Sequence, residues 1–299
     1  ATAETRGTLP LSLKMTRTTT PPVSGNLLLD DYAGAAVAYS VRKLDKDYTG
    51  SCMRVRRSSD EATQDIGFDS NGDLDTAAIA SFVGDAYGYV TAWYDQSGNG
   101  NNATQSTSAN QPMIYDRVAA AVVTENGKPA LEFDGTNDRL DAGDNGDTTG
   151  NLSIFGVGQS NITGANFGPL IAKSAAAGVP NRWSAGLRRS IYKDSTGTGP
   201  TLDMTQDNTQ QLASYIYLGG SSATIYQDGS QDVTASLSGS AGNSAYHLLV
   251  GGYGDSTATG GVYQVHNGTI QEVVYYNADK SSDRTGIESN INTYFSIYT

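Results

Sequence analysis

From Leu27 to the C-terminus the chain is cut into short runs of aromatic and β-branched residues, each closed by glycine, asparagine, aspartate or serine. Such runs are too short for helices and too frequent for a helical bundle, and nothing alternates them with helices as a parallel sheet would require. The pattern predicts an all-β chain folded as a two-sheet antiparallel jelly-roll sandwich.

Individual segments sharpen this. In "SCMRVRRSS" (Ser51 to Ser59) the strand period of two puts Cys52, Arg54, Arg56 and Ser58 on one face and Met53, Val55 and Arg57 on the other. "GYVTAWY" and "KPALEFDG" read as further strands, and Asp-Gly within "YQDGSQ" marks a tight hairpin. Two helices interrupt the pattern. One is predicted over 75–84, with Asp75 as cap and Gly84 as stop. The other closes the chain, with Ile287, Ile291, Tyr294 and Phe295 on one face.

Residues 1–28 differ from the rest. Leu9, Leu11, Leu13 and Met15 alternate as in a strand, and Pro21–Pro22 then break the pattern. Arg6, Lys14 and Arg17 against Glu4 make this segment basic. It reads as an extended arm suited to an acidic docking surface, and residues 29–299 read as one sandwich domain.

The net charge of −12 argues against nucleic-acid binding, and no apolar run reaches the ~20 residues that span a bilayer. Cys52 is the sole cysteine, so no internal disulfide is available, and a buried thiol is expected. His247 and His266 stand apart from any acid-and-cysteine cluster in sequence and read as packed or solvated rather than as ligands.

The stretch "WYDQSGNGNNATQ" carries the most information. Asp95 at a strand end is placed to cap the following loop, while Gly98 and Gly100 permit tight turns and Asn99 tolerates them. With Gln96 these residues are expected to form a structural loop. No cofactor is called for; a calcium ion at Asp95 is the alternative, because carboxylate and amide oxygens suit a hard cation.

The succession "YSVRKL", "MRVRRSSDEATQDIGF", "LDTAAIASFVG", "TAWYDQSGNGNNATQ" and "GKPALEFDGTNDRL" resembles the concanavalin A-like sandwich module of phage and bacterial surface proteins. It is also similar to the catalytic domain of family 54 α-L-arabinofuranosidases. The latter resemblance implies a glutamate nucleophile in the second half and an aspartate acid/base in a later glycine-rich loop. "GGYGDS" resembles that loop and makes Asp255 the implied acid/base. No glutamate lies between Glu132 and Glu272, so the nucleophile has no counterpart there, and the paired cysteines of that family have none either.

These readings together lead to the expectation of a non-catalytic module displayed on a virion or cell surface. The arm of residues 1–28 would tether it in multiple copies, as a phage decoration or fibre protein with no catalytic residues. A host glycan would be held by Trp183, Asn181 and Arg182 together with Tyr253 and Asp255, which combine ring faces with amide and charged groups. The alternative expectation is a secreted glycoside hydrolase of α-L-arabinofuranosidase type.

Overall fold

The computed structural model describes residues 27–148, 150–161, 168–174, 182–193, 196–204, 208–254 and 262–299. Most of the arm therefore lies outside the described residues. Its last residue, Leu28, is fully buried and opens a short helix over Leu28–Asp31.

The strands pair antiparallel throughout and form two layers. In one, Leu152–Ser160 runs between Gln211–Leu218 and Asn267–Tyr276. Asn267–Tyr276 then pairs with Val37–Ser40 along one half and with Leu131–Asp134 along the other. In the second layer Met53–Arg57 sits between Thr63–Ile66 and Gly88–Trp93. That layer continues through Ala103–Thr104, Leu140–Asp141, Leu248–Val250 and Pro169–Lys173 to Arg182–Gly186. Among the described residues the pairing of Glu132 with Met113 joins the two layers along one side, so the sandwich is nearly closed.

The core between the layers is aromatic, with Tyr39, Trp93, Phe133, Phe155, Trp183, Tyr215 and Tyr275 all buried. Alternation decides which side chains enter it. Met53 and Val55 point inward and Arg54 outward, and likewise Leu131 and Phe133 against Glu132 and Asp134. Cys52 is buried, its thiol donating to the Ser40 carbonyl at 3.1 Å.

Both expected helices form. Thr76–Val83 starts at Asp75, whose carboxylate accepts from the Ala78 amide at 2.9 Å, and stops at Gly84. Arg284–Phe295 buries Ile287, Ile291 and Phe295. The hairpin turns at Asp228 and Gly229, with φ of 50° and 78°, values that suit the twist of its strands.

Candidate functional site: a polar groove across the sheet

The Asp95 loop is a clamp. Asp95 Oδ1 accepts from the amides of Ala38 and Ser97 at 2.9 Å, and Oδ2 accepts from Ser97 Oγ at 2.7 Å and the Asn101 amide at 3.0 Å. Gln96 accepts from the Leu44 amide at 2.8 Å and donates to the Arg42 carbonyl at 2.9 Å. Asn99 donates to the Ala35 carbonyl at 2.9 Å, and Gly98 and Gly100 take φ of 87° and 76°. The loop thus stitches the end of Gly88–Trp93 to Val37–Ser40. Both carboxylate oxygens of Asp95 face N–H and O–H donors. Among the described residues no three His, Cys, Asp or Glu side chains converge to hold a metal.

The expected glycan cluster is arranged differently. Arg182 donates through Nη1 to the Tyr253 hydroxyl, and its guanidinium lies 5.9 Å from that ring. Trp183 is only 1% exposed and packs 4.9 Å from Tyr275, so its ring face is spent on the core. The cause is local: every residue of Arg182–Gly186 is buried. Asn181 and Asp255 lie outside the described residues.

A different set of polar side chains is brought together on the outer face of the second layer. Strand register builds it. Thr63, Arg56, Tyr89, Met113 and Glu132 are successive partners across five strands, and Asp65, Arg54, Ala92, Thr104 and Asp141 form the adjacent row. At ~4.8 Å per strand each row extends ~19 Å across the sheet. Above Thr63, Arg56, Arg54, Ala92, Thr104 and Asp141 of these rows lies an open groove of about 740 Å³, which also admits Glu61, Gln105, Gln111, Arg139 and His247. It shares Arg56, Ser108 and Gln111 with a neighbouring hollow of about 470 Å³ that holds Tyr89, Glu132, Asp134 and Asp138.

The floor is held rigid by charge-assisted bonds. Arg56 donates to Gln111 at 2.7 Å and Glu61 at 2.9 Å and lies 5.0 Å from the Tyr89 ring. Arg54 forks onto Asp65 at 2.8 and 2.9 Å. At the far end His247 Nδ1 lies 3.0 Å from each oxygen of Asp141. The two residues are 106 positions apart, which is why the sequence showed no acid beside that histidine. His266, by contrast, is fully buried edge-on to Phe133, and burial lowers its pKa.

The hollow contains a carboxyl group suited to proton donation. Asp138 is 7% exposed and its pKa is pushed up to about 7, first by burial, then by the neighbouring charge of Asp134, with Glu132 adding to it. Asp134 uses Oδ1 to accept from the amides of Thr136 and Asn137 at 2.7 and 3.1 Å, folding the turn that carries Asp138 beneath it. Glu132 is also raised, by burial and then by Asp116, and remains exposed. The sequence pattern reads Glu132 as a strand residue and gives Asp138 no role. The signal available was the acid-dense run "EFDGTNDRLDAGD".

The fold is a nearly closed antiparallel β-sandwich with a polar groove on one face, and comparison with known proteins shows what it is similar to. Residues 32–172 match the family model described as "Alpha-L-arabinofuranosidase B, catalytic". The α-L-arabinofuranosidase B of Aspergillus oryzae is 42% identical over 99 residues, covering 30% of this chain and 20% of the relative. The α-L-arabinofuranosidase of Hypocrea jecorina is 38% identical over 98 residues, with the same coverage. The chain thus spans about a fifth of the length of these relatives. Among solved structures, an arabinofuranosidase complexed with arabinofuranosyl-α-1,2-xylobiose superposes with a TM-score of 0.68 at 16% identity. That alignment covers 88% of this chain and 64% of the other.

These similarities overturn the expectation of a non-catalytic module on a phage virion. The named relatives are glycoside hydrolases, and the matched model is that of a catalytic domain. The expectation rests on the lack of a glutamate between Glu132 and Glu272. Absence at one place in sequence says nothing about carboxylates elsewhere, such as Glu132 and Asp138, which line one hollow.

Proposed function

We propose that this chain is a glycoside hydrolase of the α-L-arabinofuranosidase type, acting on arabinose-bearing polysaccharides outside the cell. The observation that carries this reading is that Glu132 and Asp138, two of the three carboxyl groups of the hollow, both fall within the stretch matching the catalytic-domain model. Hydrolysis of a glycosidic bond needs one carboxylic acid to protonate the leaving oxygen and one carboxylate to attack the anomeric carbon or activate water. Asp138 keeps its proton up to about pH 7 and supplies the first. Glu132, the more exposed, supplies the second. Arg56 and Gln111 beside them offer hydrogen bonds to sugar hydroxyls.

The resemblance described above assigns the acid/base role to Asp255 instead, and the two assignments are separable. Release of arabinose from arabinoxylan and from a chromogenic aryl α-L-arabinofuranoside is measured for the parent chain and for Asp138→Asn, Glu132→Gln and Asp255→Asn. The expected result is activity in the parent and a loss of at least about 100-fold in Asp138→Asn. A loss confined to Asp255→Asn assigns the acid/base role to Asp255 instead. No release by the parent chain from either substrate ends the proposal.

A further inference from the structure

We propose that Arg139 makes the groove selective for acidic glycans, by reading the carboxylate of a uronic acid carried on the bound oligosaccharide. This rests on the groove being the glycan site proposed above, but adds a substrate feature that hydrolysis of an arabinoside does not require.

The groove holds three guanidinium groups, and two are engaged by carboxylates, Arg54 by Asp65 and Arg56 by Glu61. Arg139 is different. Its Nη1 donates to the Asn137 carbonyl at 3.0 Å, and among the described residues no carboxylate faces it. Its Nε and Nη2 edge is thus left as an open fork, the geometry that pairs with a carboxylate through two parallel hydrogen bonds.

The fork is also held in place. The Arg139 amide donates to the Asn110 carbonyl at 3.1 Å, and its own carbonyl accepts from Gln105 Nε2 at 3.1 Å. Gly252 packs against the base of its side chain, where an added Cβ would stand 3.1 Å from Arg139 Cβ. Arg139 and Asp141 flank the buried Leu140 and share the outer face of their strand, so the guanidinium is presented to the groove.

Two acids line the same groove and would oppose an anionic ligand if they were bare. Glu61 is spent on Arg56, while Asp141 accepts from the Gly143 amide at 2.7 Å and lies against His247. Over the rest of the surface a net charge of −12 repels an acidic glycan, so attraction must come from a local cation within about a Debye length of ~8 Å. Arg139 is that cation.

The test uses the intact chain and isothermal titration calorimetry with trigalacturonate and its fully methyl-esterified form, which differ in charge at nearly constant shape. The expected result is at least about tenfold tighter binding of the acid, the range of a hydrogen-bonded charge pair. Arg139→Gln should abolish that preference while changing affinity for the ester less than about twofold. Thermal melting confirms that the variant is folded, and Arg139→Lys should restore part of the preference. Equal affinity of the parent for acid and ester, no binding of either, or an undiminished preference in Arg139→Gln would each overturn the inference. Arabinose release from neutral arabinoxylan is measured on the same samples. Its absence counts against the hydrolase reading alone, and the acid-to-ester ratio against the Arg139 inference alone.

Discussion

Arg42 and Glu272 meet as a buried two-point ion pair, Nε to Oε2 at 2.8 Å and Nη2 to Oε1 at 3.0 Å, with side chains 8% and 0% exposed. Ser40 Oγ donates to the same Oε2 at 2.7 Å, and Arg42 Nη1 reaches Asn290 on the terminal helix at 3.0 Å. The pair therefore ties the first strand, the central Asn267–Tyr276 strand and the helix together. Removing one partner leaves the other charge buried and unmatched, so Glu272→Gln should lower stability by about 3–5 kcal/mol. Urea denaturation gives the value, and replacing both residues by leucine should recover much of the loss. An unchanged midpoint in the single variant would show that the pair is not closed in solution.

Asp95→Ala removes one acceptor group from four donors at once. Hydrogen bonds to a charged group contribute about 1.5–3 kcal/mol each, and partial rewetting of the loop limits the sum, so a loss of about 3 kcal/mol is expected. Calcium added to the parent chain should leave its melting temperature unchanged, because the Asp95 oxygens already face donors. A rise on calcium addition that chelation reverses would instead establish a cation site.

Asp138 sets a pH dependence whose sign follows from its environment. Its pKa in the folded chain, about 7, lies above the ordinary aspartate value, so between about pH 4 and 7 the folded state binds a proton that the unfolded state has released. Stability should therefore decline as pH rises through that window and level off above it. Asp138→Asn should flatten the decline and be the more stable form above pH 7. Melting temperatures across pH 4 to 8 check this, and a steeper decline in the variant would reverse the assignment.

Cys52 is fully buried and its thiol pKa is pushed far up by that burial. The folded chain should thus be inert to thiol-selective reagents at neutral pH, and the reagent should act at the rate of unfolding. Rapid modification under native conditions would contradict the packing around Ser40.

Much of the fold was legible because its signals are local. The Asp75 cap and Gly84 stop mark a helix within two turns of chain, and Asp228-Gly229 marks a hairpin within two residues. Alternation separated Met53 and Val55 from Arg54, and the structure shows that the Met53 and Val55 face is the inner one. In the Asp95 loop the acid, amides and glycines that make the hydrogen bonds lie together in sequence.

The groove was not legible. Arg56, Tyr89, Met113 and Glu132 come from separate strands, and only pairing register makes them neighbours. Asp141 and His247 meet across 106 positions, and Trp183, which composition made a sugar platform, is taken up by the core.

What the sequence by itself determined is the periodicity of each strand, the turns between them and therefore the sandwich, because steric preference and burial act on residues close along the chain. Which polar side chains share a surface, and that Asp138 keeps its proton near neutrality, only the tertiary structure decided. Register and burial are properties of strands brought together from distant parts of the chain, and desolvation and neighbouring charge depend on those contacts rather than on the residue itself.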